Sequence, residues 1–109
     1  GEMKKREAVY GEFIKECCER AIDSFARSLD KPEMLLKTYE LLNRIRLCAS
    51  EEVLHEAERA VSVIMEQYFA SNLSSEEMRA LLRKGANADP LRPFAEACRA
   101  ELKAMRASA

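Results

Sequence analysis

An antiparallel all-α bundle of four main helices with one short accessory helix is what this sequence predicts. Three observations predict it. Apolar residues recur at steps of three and four over long segments, the spacing of a helix with one buried face. Only three glycines and three prolines occur in 109 residues, too few for a loop-rich or disordered chain. Between the periodic segments stand short clusters with helix-starting and helix-stopping chemistry. Hydrophobic residues make up 48% and charged residues 34%, enough for one core inside a solvated shell, so residues 1–109 form a single domain.

The first helix is expected from about Glu2 to Leu29, with Tyr10, Phe13, Ile14, Cys17, Ala21, Phe25 and Leu29 on one stripe. Upstream of Val9 the stripe gives way to Lys4, Lys5, Arg6 and Glu7. At the helical rise this segment is ~40 Å long and the next two nearer ~27–30 Å, so its polar start is expected to overhang the bundle. Asp30-Lys31-Pro32-Glu33 restarts the chain, with Asp30 as cap, Pro32 in the first turn and Glu33 as the answering carboxylate. The second helix, ending near Ala49, is expected to turn Leu35, Leu36, Tyr39, Leu42 and Ile45 inward.

Ser50-Glu51-Glu52-Val53 is a further start, its acids suiting the positive end of the helix dipole. The third helix buries Leu54, Ala57, Val61, Ile64, Met65 and Tyr68 and ends around Ser71-Asn72. Ser74 and Glu77 form a capping box for a short accessory helix, Ser75 to Lys84, which Gly85 stops. Asp89-Pro90 opens the last helix, whose inward stripe is Phe94, Cys98, Leu102 and Met105.

Composition excludes several function classes. Lys and Arg number 18 against 19 Asp and Glu, a net charge of -1, so the basic excess of a nucleic-acid binder is missing. With no Trp and 6% aromatics, a base-stacking platform is hard to build. Lys4-Lys5-Arg6 reads as a solvated helix end, or as a patch for an anionic surface. No apolar run reaches the ~20 residues of a spanning helix. The chain starts Gly1-Glu2 without an initiator Met, and Gly1 reads as an addition to a natural chain that extends upstream.

The four cysteines, Cys17, Cys18, Cys48 and Cys98, make no CxxC pair. They read as reduced, mostly buried thiols in a cytosolic setting. Glu52 and His55 stand at i, i+3, the spacing of carboxylate-bridged di-iron helices. With one His in the chain, a full metal centre needs a symmetric dimer, and solvent-facing pairing is the plainer role. Cys18, one step off the core stripe, has no base within reach in sequence, so no catalytic residue and no cofactor is expected. Arg44 and Arg46 bracket Ile45, and one of them is expected at the core margin, paired with Glu12, Glu16 or Glu19. Met3, Val9 and Tyr10 offer a little apolar surface for dimerisation but no sustained heptad.

The run Leu42-Asn43-Arg44-Ile45-Arg46-Leu47-Cys48-Ala49-Ser50-Glu51-Glu52-Val53-Leu54, followed by Ala57-Glu58-Arg59, carries a family resemblance. So do Tyr10-Gly11-Glu12-Phe13-Ile14 and the segment from Asp89-Pro90 to Glu101-Leu102. Together they resemble a group of uncharacterised bacterial membrane proteins that carry one or two N-terminal transmembrane helices and then a helical soluble domain. Cys17-Cys18 departs from that resemblance, which leads one to expect less reactive residues there. The resemblance implies an upstream anchor in the membrane and no particular activity. The expected function is a non-catalytic interaction module on the cytoplasmic side of the inner membrane, with a protein partner or self-association and no nucleic acid. A free-standing, self-associating cytoplasmic protein is the alternative, and a metal site at a dimer interface a further one.

Overall fold

A computed structural model describes residues 1–26, 29, 31–69, 74, 76, 77, 79, 80 and 89–109. It is all-α, with helices packed on helices. Among the described residues the four main helices are α1 (Glu2–Ala26), α2 (Leu36–Cys48), α3 (Glu51–Phe69) and α4 (Leu91–Ser108), with a 3₁₀ turn over Pro32–Leu35 leading into α2. Arg44 of α2 pairs with Glu12 of α1, and Thr38 with Glu16, so the two helices run antiparallel. Arg6 pairs with Glu101 while Phe13 stacks on Phe94, so α4 also runs against α1. The tight turn between α2 and α3 makes that pair antiparallel as well. α1 and α3 each pack against all three other helices, whereas α2 and α4 share no extensive contact.

The core follows from this arrangement. Phe13, Cys17, Leu41, Ile45, Val53, Ala57, Ala60 and Phe94 are fully excluded from solvent. Ala57 and Ala60 are small, which suits α3 to lie close against its three neighbours. The polar residues Ser24 and Thr38 are also buried. Ser24 Oγ lies 2.6 Å from the carbonyl oxygen of Ala21 and 3.0 Å from Gln67 Oε1, so its one hydroxyl hydrogen has acceptors in reach.

Helix starts match their chemistry in part. Ser50 caps α3, its Oγ accepting from the Val53 N–H at 3.3 Å. The Ser74–Glu77 box is closed in both directions at 3.1 Å. Glu76, Glu77, Arg79 and Ala80 are helical, while Gly85 and most of the expected accessory helix lie outside the described residues. The expected end of α3 at Ser71-Asn72 lies outside them too. Asp89 Oδ1 accepts from the Leu91 N–H at 3.0 Å, and Pro93 falls within the first turn of α4.

Four expectations are corrected. Leu29 is not helical, and α1 is assigned only to Ala26. The residue before Pro32 caps the 3₁₀ turn: Lys31 is extended, at φ -133 and ψ 124, and makes no side-chain cap bond. That is the conformation proline imposes on its predecessor, and Asp30 itself lies outside the described residues. On α2 the inward face is Thr38, Leu41 and Ile45, while Leu36 and Tyr39 are 65% and 69% exposed. The helix has apolar residues on two faces, and packing between α1 and α3 selected the one that contains a threonine. Finally, α1 is engaged with the bundle from Arg6 onward, because α4 reaches back along it; the overhang shrinks to the first turn.

Candidate functional site

The buried carboxylate of Glu101 sets how α4 meets α1. Its side chain is 8% exposed. The Tyr10 hydroxyl donates to Oε1, and Arg6 Nη1 lies 3.1 Å from the same oxygen. Oε2 accepts the Ser50 backbone N–H at 2.6 Å. That N–H is an orphan donor at the start of α3, the group a capping-box Glu ordinarily satisfies from within the same helix. Here the carboxylate comes from α4, so one residue joins α1, the α2–α3 turn and α4. Burial opposes ionisation of Glu101, yet hydrogen bonds from Tyr10, Ser50 and Arg6 outweigh it and hold its carboxyl below the usual range. Burial, and then the bond to Glu101, push the Tyr10 phenol well above its ordinary value.

Sequence reasoning missed Glu101. A signal existed: it stands seven residues after Phe94 and three after Cys98, a carboxylate on an otherwise apolar stripe.

Alongside this junction α1 and α4 border an open groove of about 560 Å³. Tyr10, Ile14, Ala95, Cys98 and Leu102 form its apolar floor. Glu7 and Gly11 edge it on α1, and Arg99, Lys103 and Arg106 on α4. Those three cations make no ion pair with any described residue. By contrast Arg6, Arg20, Arg44, Arg46, Arg59 and Arg92 each lie within 4 Å of a carboxylate.

Gly11 is mid-helix and exposed, and a methyl group placed on it would meet no atom within 4 Å. The fold therefore does not require glycine there, and glycine costs about 0.8–1.0 kcal/mol relative to alanine in a helix interior. Gly11→Ala is expected to raise stability by about 0.5–1 kcal/mol, a melting-temperature gain of roughly 4 °C on thermal unfolding.

The other sequence candidates separate. Glu52 and His55 are both exposed on the first turns of α3. Glu52 lines a second groove, about 580 Å³, between Ser50 and the C-terminal half of α4; His55 does not line it. Among the described residues no group of three or more His, Cys, Asp and Glu side chains could hold a metal ion. Arg44 and Arg46 take opposite sides of α2, pairing with Glu12 at 3.4 Å and Glu58 at 3.1 Å. The Arg44–Glu12 pair is the expected one, but both arginines are nearly half exposed, so neither stem is buried at the core margin: Ile45 occupies the contact line and they flank it.

The cysteines are free thiols. Burial pushes Cys17 and Cys98 up to about 12, while Cys18 is exposed. Ellman's reagent at pH 8 is expected to modify Cys18 rapidly, and Cys17 and Cys98 only after denaturant is added. Mass mapping of the labelled peptides checks the order.

In comparisons with known proteins, no family model, no curated protein and no solved structure matches this chain. No helix among the described residues is long and apolar enough to cross a membrane.

Proposed function

We propose that this chain is a non-catalytic protein-interaction module and that the α1–α4 groove is its working surface. The observation that carries this reading is the pairing of an apolar floor with a cationic rim whose charges are not neutralised within the described residues. A cationic rim on the α4 side of an apolar floor suits a partner that supplies both apolar and anionic groups. The resemblance of the Leu42–Leu54 run and the α4 segment to bacterial membrane proteins supports attachment through an upstream segment. On this reading the module sits on the cytoplasmic side of the inner membrane.

A photo-crosslinking amino acid at Glu7, exposed on the α1 rim of the groove, tests the reading in bacterial cells. The expected result is a discrete protein adduct that a control at Glu19, on the α2 side of α1, does not give. No adduct, or the same adducts from both positions, would refute it. Fractionation of the natural full-length protein checks the attachment, which a soluble product would retire.

Self-association is a second reading, favoured by Leu36, Tyr39 and Leu47 on the outer face of α2, the last 87% exposed. Two copies of α2 packed antiparallel would set Leu36 of one against Leu47 of the other, an isologous contact. Under this reading the chain sediments as a dimer at roughly 100 µM and Leu47→Glu makes it monomeric. A monomer at that concentration retires it.

A further inference from the structure

We propose that the α1–α4 groove receives a single amphipathic helix, about three turns long, whose flank facing α4 is acidic. This rests on reading the chain as an interaction module, and it names the partner's chemistry.

The length comes from the floor. Ala95 to Arg106 of α4 spans about 16 Å at the helical rise, three turns of a docked helix. The apolar face comes from Ile14 and Leu102, which are only partly buried against the core and expose apolar surface to the groove. The charge comes from the ridge. Arg99, Lys103 and Arg106 stand at i, i+4 and i+7, one line of cations about 10 Å long beside the floor. Carboxylates on a helix lying in the groove fall at the same intervals, so each cation meets one acid.

The opposite rim decides between a helix and a uniformly anionic surface. Glu7 stands on the α1 side and would repel lipid headgroups, whereas a helix with basic residues on its second flank fits it. Gly11 keeps the α1 rim low, so a helix backbone can approach closely.

The test uses the chain as it stands. The probes are a stapled 16-residue peptide with Leu at i, i+4 and i+7 and Glu along one flank, the same peptide with Lys for Glu, and phosphatidylglycerol vesicles. Binding is followed by amide chemical-shift changes. The acidic peptide is expected to shift residues lining the groove, with affinity at least about ten-fold above that of the Lys peptide. Reversing the ridge with Arg99→Glu, Lys103→Glu and Arg106→Glu is expected to exchange that preference, which a merely unfolded variant would not do. Gly11→Leu, which fills the groove on an exposed helix face, is expected to weaken binding about ten-fold or more while thermal stability holds.

Equal binding of both peptides, shifts centred on α2, binding to vesicles but not peptide, or no binding of either peptide would each overturn the proposal. A protein adduct at position 7 combined with any of these leaves the module reading standing and retires the acidic helix alone. Absence of the adduct retires the module reading itself.

Discussion

Phe94→Ala is expected to destabilise the domain by about 3–5 kcal/mol, as for other buried Phe truncations. Phe94 is fully buried, with its ring 4.8 Å from that of Phe13 and edge-on to Tyr10 at 6.0 Å. Removing it leaves a cavity that two aromatic neighbours, one fixed by its hydroxyl bond to Glu101, cannot easily close. A single domain holds only about 5–15 kcal/mol in total, so the loss is a large share. Urea unfolding should show a lower midpoint at unchanged slope, and heating a melting point lower by roughly 12–20 °C. Phe94→Leu, which keeps more of the volume, should cost clearly less. Because Phe94 packs α4 onto α1, the same change should loosen the groove between them.

Glu101→Ala is expected to cost about 2–4 kcal/mol. Three donors lose their acceptor, but unequally. The Tyr10 residue is 3% exposed, so its hydroxyl is left buried and unpaired, a penalty of about 1–3 kcal/mol. The Arg6 side chain is 21% exposed and can recover water in part, which keeps the total below that of a fully buried ion pair. Tyr10→Phe should cost about 1 kcal/mol, and the double variant should cost less than the sum, since both changes remove the same bond.

Glu101 also predicts a pH dependence. Its folded carboxyl titrates below the ordinary carboxylate range, so the unfolded chain binds the proton more readily. The stabilisation is therefore complete above about pH 4.5 and is lost as pH falls through the lower folded value. Denaturation midpoints measured from pH 7 to pH 3 should fall more steeply for the native chain than for Glu101→Gln.

Much of this was legible in the residues. The helix count, the Ser50 and Ser74 starts and the position of Pro93 in the first turn of α4 followed from local chemistry, which acts over three or four residues. The stripe of α3 was read nearly whole, Ala57, Ile64 and Tyr68 being buried with Leu54, Val61 and Met65 packed at their edge. The stripe of α2 was read only in part: Ile45 is buried and Leu42 packs at the core edge, but Leu36 and Tyr39 face outward. Leu36, Tyr39 and Leu47 are apolar at helical spacing, and so are Leu41 and Ile45, so periodicity offered two faces. Which one lies inside depends on the groove that α1 and α3 present. The candidate site was less legible still, because a groove is a gap between two helices far apart in sequence and leaves little local mark. Gly11 in mid-helix and the spacing of Arg99, Lys103 and Arg106 were its traces.

By itself, then, the sequence determined that the chain folds as helices, where most of them start, and that apolar stripes drive them together. The tertiary structure decided which face of α2 is buried, which carboxylate receives Arg6 and Tyr10, and that Arg99, Lys103 and Arg106 are left without a counter-ion among the described residues. The division has a physical cause. Capping and periodicity are satisfied within one helix, whereas burial and ion pairing depend on what the neighbouring helices bring within a few ångströms.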